Sequence, residues 1–397
     1  MSELARADVI IAGAGPAGLA ATFACQDEGL KPVVADTSRT ASAAAAKGRS
    51  AALFNNTVAF LQRLGVWEAC RGAAEPLKTL QIIDDTGRLL RAPDCAFHAA
   101  EIGENAFGYN IANADLARTF KAEAERREIS MIAPGRLVSL NCGAAEVQAA
   151  FEDGTRLAAP LVIGADGRNS AVRESAGIRS FSWVYDQIAL AGSFSHERPH
   201  NGVCIEFHRQ AGPFTLIPLP GNRCSFVWSE RKADAERLLA LGDAGFAAEA
   251  AKASRFALGR ISDPSERAAF PLSALLVRDY GRTRVALAGE AAHAVPPIGA
   301  QGLNLGFRDV EALATLIGEA RRRGEDIGGD NLLRAYSAAR RGDILSRTFG
   351  LDLLNRSLLS GFFPLQAARG LGLYALGAAG PLRRAFMRRG IAPSNFT

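Results

Sequence analysis

A buried-type strand, a glycine-rich turn, an alanine-rich helix and a second strand ending in an acid follow one another near the N-terminus. This run constrains the fold more than any other feature of the chain. Asp8-Val-Ile-Ile-Ala12 reads as the strand and Gly13-Ala14-Gly15-Pro16-Ala17-Gly18 as the turn. The helical stretch continues to Glu28, Gly29 ends it, and Pro32-Val-Val-Ala-Asp36 is the next strand. A crossover of this length brings the chain back to the same end of a sheet, so the two strands are parallel. In that setting G-x-G-x-x-G is a dinucleotide fingerprint. Gly13 permits the tight turn, Gly15 lets a pyrophosphate approach the backbone, and Gly18 lets the helix pack on the strand. Asp36 is placed to accept from the ribose hydroxyls of an adenosine half.

The same construction recurs twice. Leu161-Val-Ile-Gly-Ala-Asp166-Gly is a buried strand ending in glycine and an acid, with Ser170 near a helix start. Val285 to Ala288 is another, passing through Gly289-Glu290 and Pro296-Pro297 into a segment with Gly299, Gly302 and Gly306. A helix follows, in which Leu303, Phe307, Val310, Ala314 and Ile317 recur at three- and four-residue spacing. That pattern leaves Asp309, Glu311 and Glu319 to face water, and Arg321-Arg322-Arg323-Gly324 is the stop signal. A carboxylate followed by a turn that points helix N-terminal amides outward suits a polyol carrying an anion. The flavin of FAD meets both requirements. The carboxylate can hold ribityl hydroxyls, and the amides can stabilise negative charge on a reduced isoalloxazine.

Length and composition exclude several alternatives. At 397 residues and 48% hydrophobic content, the chain suits two domains and a tail. Its net charge of +5 comes from 46 basic against 41 acidic residues, a balance that points to no nucleic-acid partner. Cysteines 25, 70, 95, 142, 204 and 224 are scattered, which indicates neither a metal site nor a disulfide framework. With no secretory leader visible, free thiols in a reducing cytoplasm are expected. The uncharged run Val9–Gln26 carries Gly13, Gly15, Pro16 and Gly18 and is not read as a membrane span.

Between the glycine-acid strands lie inserts. Gly48-Arg49-Ser-Ala-Ala-Leu53 is read as leading into a helix through Val58, Leu61 and Leu64, closed by Gly65. Arg49 could neutralise a pyrophosphate or be a solvated helix-start cation. Thr79–Asp84 and Arg88–Ala92 read as strands about Asp85-Thr86-Gly87, and Val147–Phe151 and Arg156–Leu157 as strands across Asp153-Gly154. Residues 180–270 are rich in β-branched and aromatic side chains, with one helix expected at 233–253. The expected fold is α/β (α+β). A Rossmann-like FAD-binding domain is built from 1–75, 100–180 and 271–329, and 76–99 with 181–270 form an inserted, mostly antiparallel substrate sheet. A C-terminal helical region covers 330–397.

GAGPAG at 13–18, GADGRNSAVR at 164–173 and GEAAHAVPPIGAQGLNLGFRDVEAL at 289–313 together resemble the three signatures of the class A flavoprotein aromatic monooxygenases. PIGAQGLNLGFRDV is most similar to the ubiquinone-biosynthesis hydroxylase branch, and the likeness runs along roughly the whole chain. The resemblance implies a para-hydroxybenzoate-hydroxylase type of fold. It implies that Gly13, Ala14, Gly15, Ala17 and Gly18 hold the FAD pyrophosphate and Asp36 the adenosine ribose. It further implies flavin or pyrophosphate contacts from Arg49 and Asn113, a role for Asp166 toward FAD and NAD(P)H, and Gly289 and Glu290 at the ribityl chain. The turn Gly299 to Asn304, including Gly302 and Leu303, would face the flavin ring. The family usually has Glu where this chain has Asp36, and Asp where it has Glu290, each change moving a carboxylate by one methylene.

The implied reaction is reduction of FAD by NAD(P)H, formation of a C4a-hydroperoxide with O2, and hydroxylation of an electron-rich ring, a polyprenylated phenol in ubiquinone biosynthesis. An aromatic substrate of another kind, or an assembly subunit in a complex with other quinone-biosynthesis proteins, are the alternatives. A flavin halogenase is disfavoured, since Trp67, Trp183 and Trp228 cannot form a W-x-W element. No catalytic base and no metal are assigned. His98, His196, His200 and His208 are expected to be surface or satisfied polar residues, and His293 to stand behind the flavin turn. The glycine- and leucine-rich stretch Leu358–Leu382, followed by Arg383, Arg384, Arg388 and Arg389, suits either peripheral contact with the inner face of a membrane or packing on the enzyme.

Overall fold

The computed structural model describes residues 4–37, 48–88 and 91–360, and in the C-terminal stretch 366, 368, 370–372, 374, 375 and 379–388. Its central feature is a six-stranded sheet in the order 281–282, 285–287, 161–164, 9–12, 32–35, 130–132. Every pairing is parallel except the outermost, 281–282 with 285–287. The strands that lead into Glu290, Asp166, Gly13 and Asp36 are therefore neighbours in that order, and all their C-terminal ends lie along one edge. The strands are continuous apolar runs because both faces are covered. Helix Pro16–Asp27 is buried from Gly18 to Cys25 and has no polar face to offer water. Its Phe23 packs on Phe120 of helix Asn113–Arg126, with ring centroids 5.8 Å apart, and Phe120 on Phe307 of helix Gln301–Arg322 at 6.0 Å. Each such ring contributes about 1.5–3 kcal/mol through burial.

A second sheet carries the inserts. Strand Ser180–His196 runs between Arg223–Glu230 and Ala268–Val277, antiparallel to both, with a register shift between Val184 and Ile188. Beyond Arg223–Glu230 come Gly212–Leu219, Val203–Arg209, Thr79–Asp84 and Cys95–His98. The one parallel pairing of this sheet among the described residues, Val203–Arg209 with Thr79–Asp84, joins segments far apart in sequence. At the other edge His293–Ala294 pairs with Leu275–Leu276, so the segment after Glu290 is stitched to this sheet.

Side-chain alternation sorts the two faces. Ile205, Phe207, Phe214, Leu216, Phe226 and Trp228 pack with helices Lys232–Ala240 and Asp243–Ala253. The opposite face, with Glu206, Thr215, Ile217 and Val227, looks into the molecule.

Local readings needed correction where long-range pairing decided. Arg49 does not open a helix: Ser50–Phe54 is a strand paired with Gly108–Ala112, and the helix begins at Asn55. The Ala-rich run is compatible with either state, and the available strand edge selected one. The partner of Thr79–Asp84 is Cys95–His98 rather than 88–92, where 89 and 90 lie outside the described residues and 91–94 form no strand. Two helices replace the single one expected at 233–253, broken at Leu241-Gly242. The C-terminal helix Asp330–Leu359 contributes Leu332, Leu333, Tyr336 and Ile344 to the core of the first sheet. Parts of the expected Leu358–Leu382 and Gly370–Gly380 stretches, and Arg389, lie outside the described residues.

Candidate functional site

The common C-terminal edge of the parallel strands is the natural position for an extended ligand, because each chain leaves its strand there as a loop. The turn after Ala12 is shaped by its glycines. Gly13 has φ +105°, and a Cβ on it would lie 2.4 Å from the Ala165 carbonyl oxygen. A Cβ on Gly18 would lie 1.9 Å from the Gly13 carbonyl oxygen, which fixes how closely the helix meets the turn. Gly15 has nothing within 4 Å of the corresponding position. The first and third glycines are thus filled by the fold, and the second borders open space above a helix N-terminus.

Around that opening stand the acids. Asp36 Oδ2 accepts from the Ala14 amide at 2.9 Å and Oδ1 from the Thr37 amide at 2.6 Å, which ties the end of the second strand to the turn. Asp166 Oδ2 accepts from the Val172 amide at 3.1 Å, while its Oδ1 is buried without a partner. Ser170 caps the short helix that follows, accepting from the Arg173 amide. Asn113 starts a helix, its amide donating to the Arg49 carbonyl at 2.9 Å, and its Oδ1 is also buried and unpartnered. Arg49 therefore sits beside Asn113, with its guanidinium 5.1 Å from the centroid of the Phe270 ring. Glu290 is exposed at the cavity wall.

The third turn is held from behind. Asp309, which the helical pattern assigned to water, is completely buried. Its Oδ2 accepts from the Gly289 amide at 2.9 Å and pairs with His293 Nε2 at 2.6 Å, and its Oδ1 accepts from Arg340 Nε at 2.7 Å. Burial alone would raise the Asp309 carboxyl, but His293 and Arg340 outweigh it and hold it below the ordinary aspartate range. The helical spacing carries the signal for this burial: Asp309 lies four residues from both Leu305 and Leu313, which are buried. Gly299 and Ala300 adopt left-handed conformations, φ +64° and +52°, before the helix begins at Gln301. Asn304 spends its side chain within the protein. Oδ1 accepts from the Phe54 amide and Thr57 Oγ1, and Nδ2 donates to the Ala52 and Ala300 carbonyls.

These parts enclose one large cavity of 1510 Å³. Gly13, Ala14, Gly15, Ala17, Asp36, Arg49, Asn113, Asp166, Gly289, Glu290, Gly299, Gly302 and Leu303 line it, whereas Gly18 and Asn304 support it from behind. Its other wall is the inner face of the second sheet together with Leu351 and Leu354 of the C-terminal helix and Phe386. The volume exceeds the ~300–1,000 Å³ of a typical small-molecule site, leaving room for a dinucleotide and a second ligand.

Each histidine has at least one polar partner, though most are buried rather than on the surface, and His208 Nδ1 and His293 Nδ1 are buried without one. His196 Nδ1 donates to the Arg198 carbonyl, His200 Nε2 donates to Leu219 and Gly221 carbonyls, and exposed His98 bonds Thr79. His208 is paired with Glu206, Nε2 to Oε1 at 2.8 Å, both buried. Glu206 was missed from the sequence. Its signal was the alternation in Val203–Arg209, where 206 and 208 fall on the face opposite Ile205 and Phe207.

FAD fits the donor set. Open space above Gly15 can take a pyrophosphate at the N-terminus of helix Pro16–Asp27. Asp36 can receive ribose hydroxyls, and the orphaned Asp166 and Asn113 oxygens await donors. Residues 6–344 match the family described as FAD binding domain. The chain is 35% identical over 385 residues to the ubiquinone hydroxylase UbiL of Rhodospirillum rubrum, covering 96% of this chain and 89% of that one. It is 30% identical over 383 residues to the 3-demethoxyubiquinol 3-hydroxylase of Escherichia coli, covering 95% and 96%. Among solved structures, p-nitrophenol 4-monooxygenase PnpA of Pseudomonas putida superposes with a TM-score of 0.80 at 19% identity over the full length of both chains. Klebsiella pneumoniae HpxO complexed with FAD and uric acid does so at 0.76 and 19% identity, covering 98% and 96%.

Proposed function

Because this chain belongs to the FAD-binding monooxygenase family related to the ubiquinone-biosynthesis hydroxylases, we propose that it hydroxylates the aromatic ring of a polyprenylated phenol in quinone biosynthesis, using NAD(P)H and O2. The observation that carries the reading is the composition of the cavity. One side is lined by the ends of the glycine-acid strands and the other by Leu80, Ile82, Ile217, Val227 and Leu272, a wall suited to an apolar ring and chain.

Each strand end has a role in this proposal. Gly15 and the first helix N-terminus hold the pyrophosphate, Asp36 the adenosine ribose, and Arg49 and Asn113 the middle of the cofactor. Asp166 and Glu290 take hydroxyls of the ribityl region. The amides after Gly299 face the ring, where a helix start favours negative charge. When bound, FAD supplies the activation of dioxygen, after reduction by the nicotinamide. The protein's part is to orient the substrate ring against it and exclude water, which the apolar wall favours.

The tail supports a lipid-soluble substrate. Among the described residues no helix is long and apolar enough to cross a membrane. Phe349 and Leu353 nevertheless lie exposed on the C-terminal helix, beside Leu351 and Leu354 of the cavity wall, and Leu371, Tyr374 and Leu382 are exposed farther along. Arg384 and Arg388 are exposed nearby, while Arg383 is engaged with Glu101 at 2.6 Å. Such a surface suits reversible contact with anionic lipid, where the substrate partitions.

The test is turnover with isotopically labelled dioxygen. Purified holoprotein given NADH or NADPH and a short-chain prenylphenol should form a product one labelled oxygen heavier. Reduction of the flavin without any oxygenated product from phenols would assign it another substrate class, and absence of bound flavin would favour an assembly role.

A further inference from the structure

Where the second sheet lines the cavity, among the described residues, it carries one carboxylate, set among apolar side chains and the hydroxyls of Thr79, Thr215 and Ser273. Among the described residues of this sheet that line the cavity, the titratable side chains are Glu206 and Cys204, and burial pushes the Cys204 thiol far above its ordinary range. A carboxylate in a largely apolar wall is costly to desolvate unless its oxygens are satisfied. Glu206 has solved half of this. Oε1 is paired with His208 Nε2 at 2.8 Å, and His208 is itself buried, on the same face of the strand two residues on. Oε2 has only Thr215 Oγ1 at 3.4 Å, beyond the usual O–H···O range of ~2.5–3.0 Å. A buried carboxylate is thus held in place from one side and left with an accepting oxygen on a cavity wall.

Resting on the reading that the substrate is a phenol, we infer that Glu206 accepts the hydroxyl hydrogen bond of the substrate ring, and that His208 is the positioning residue that aims it. An O–H donor is the complement of the under-satisfied oxygen, and hydrogen bonds to ionised acceptors are short and strong. The apolar neighbours Ile217 and Val227 leave the ring to pack by shape. Glu206 therefore sets which edge of the ring turns toward the sheet, and hence which carbon faces the cofactor side. It also supplies selection. A ring whose hydroxyl is capped leaves the buried acceptor unpaired, and sites built to bond a hydroxyl reject such analogues strongly.

The experiment measures binding to oxidised holoenzyme by the change in flavin absorption, so no turnover is needed. The probes are a short-chain prenylphenol and its methyl ether. Wild-type protein should bind the phenol at least tenfold more tightly than the ether. Glu206→Leu should abolish or reverse that preference, and Glu206→Gln, which keeps a carbonyl acceptor, should retain part of it. His208→Phe should weaken phenol binding while leaving the ether unchanged, a split that mere loss of folding would not produce. Equal wild-type affinity for the two probes overturns the role of Glu206 whatever the variants do, while leaving the substrate class standing. Failure of both probes to bind overturns the substrate class and the inference together.

Discussion

Arg340 donates from Nε to Asp309 Oδ1 at 2.7 Å with both side chains completely buried, joining the C-terminal helix to the helix that follows the third turn. Asp309 passes the constraint on through its other oxygen to the Gly289 amide and His293. Arg340 also meets Asp343 at 3.0 Å, and Asp343 meets Arg308 at 3.0 Å and Arg347 at 2.9 Å. The cofactor turn is thereby held by residues that do not line the cavity.

Arg340→Met should leave the buried Asp309 carboxylate without its guanidinium partner. Breaking one partner of a buried pair costs about 3–5 kcal/mol. Urea denaturation should show a loss of this size, with FAD affinity falling as the Gly289 turn loosens. A loss below about 1 kcal/mol would mean that His293 and water suffice for Asp309.

The same network sets an acid limit. Burial works against ionisation of Asp309 and Asp343, but the cations around them prevail and depress both carboxyls. A depressed group contributes its full stability above the unfolded value, about 3.9 for aspartate, and loses it as pH falls through the folded value. Unfolding free energy should therefore decline below about pH 4, and the decline should be shallower in a variant carrying both Asp309→Asn and Arg340→Met.

Gly15 and Gly18 should separate binding from folding. Gly15→Ala places its Cβ in open space, so the protein should fold normally yet bind FAD at least ~10-fold more weakly, about 1.4 kcal/mol. Gly18→Ala meets the Gly13 carbonyl and should be destabilised by about 1–3 kcal/mol or more, a typical overpacking cost. Thermal melts of the apoproteins and FAD titrations distinguish the two outcomes.

Arg49→Ala should raise the FAD dissociation constant at least ~10-fold, about 1.4 kcal/mol, with little change in apoprotein melting. Arg49 lines the cavity beside Asn113 and over Phe270, so an unchanged constant would give it to the second ligand instead.

Membrane contact is best tested by reversing charge, because the C-terminal helix cannot be removed without opening the core around Tyr336 and Arg340. Each basic residue near an anionic surface contributes about 1 kcal/mol. Full-length protein should float with anionic vesicles at low salt. Replacing Arg384 and Arg388 by glutamate should release it without loss of FAD. Indifference of the wild type to such vesicles would make the tail structural.

The three glycine-acid turns were legible because they depend on local backbone chemistry. A glycine at positive φ, a strand of continuous apolar residues and an acid at its end are required whatever else the chain does. Parallel pairing then put Asp36, Asp166 and Glu290 along one edge. What only the tertiary structure decided was which way ambiguous segments and polar side chains turned. Ser50–Phe54 became a strand because Gly108–Ala112 offered an edge. Asp309 went inside because Arg340, on another helix, and His293 meet it there, and a charge is buried only where partners converge. Asn304 was drawn to the Ala52 and Phe54 backbone, remote in sequence, and Glu206 faces the cavity because helices cover the other side of its sheet. Local sequence specifies the backbone conformations a residue can adopt, but the free energy of burying a polar group is set by partners that only the folded chain brings within reach.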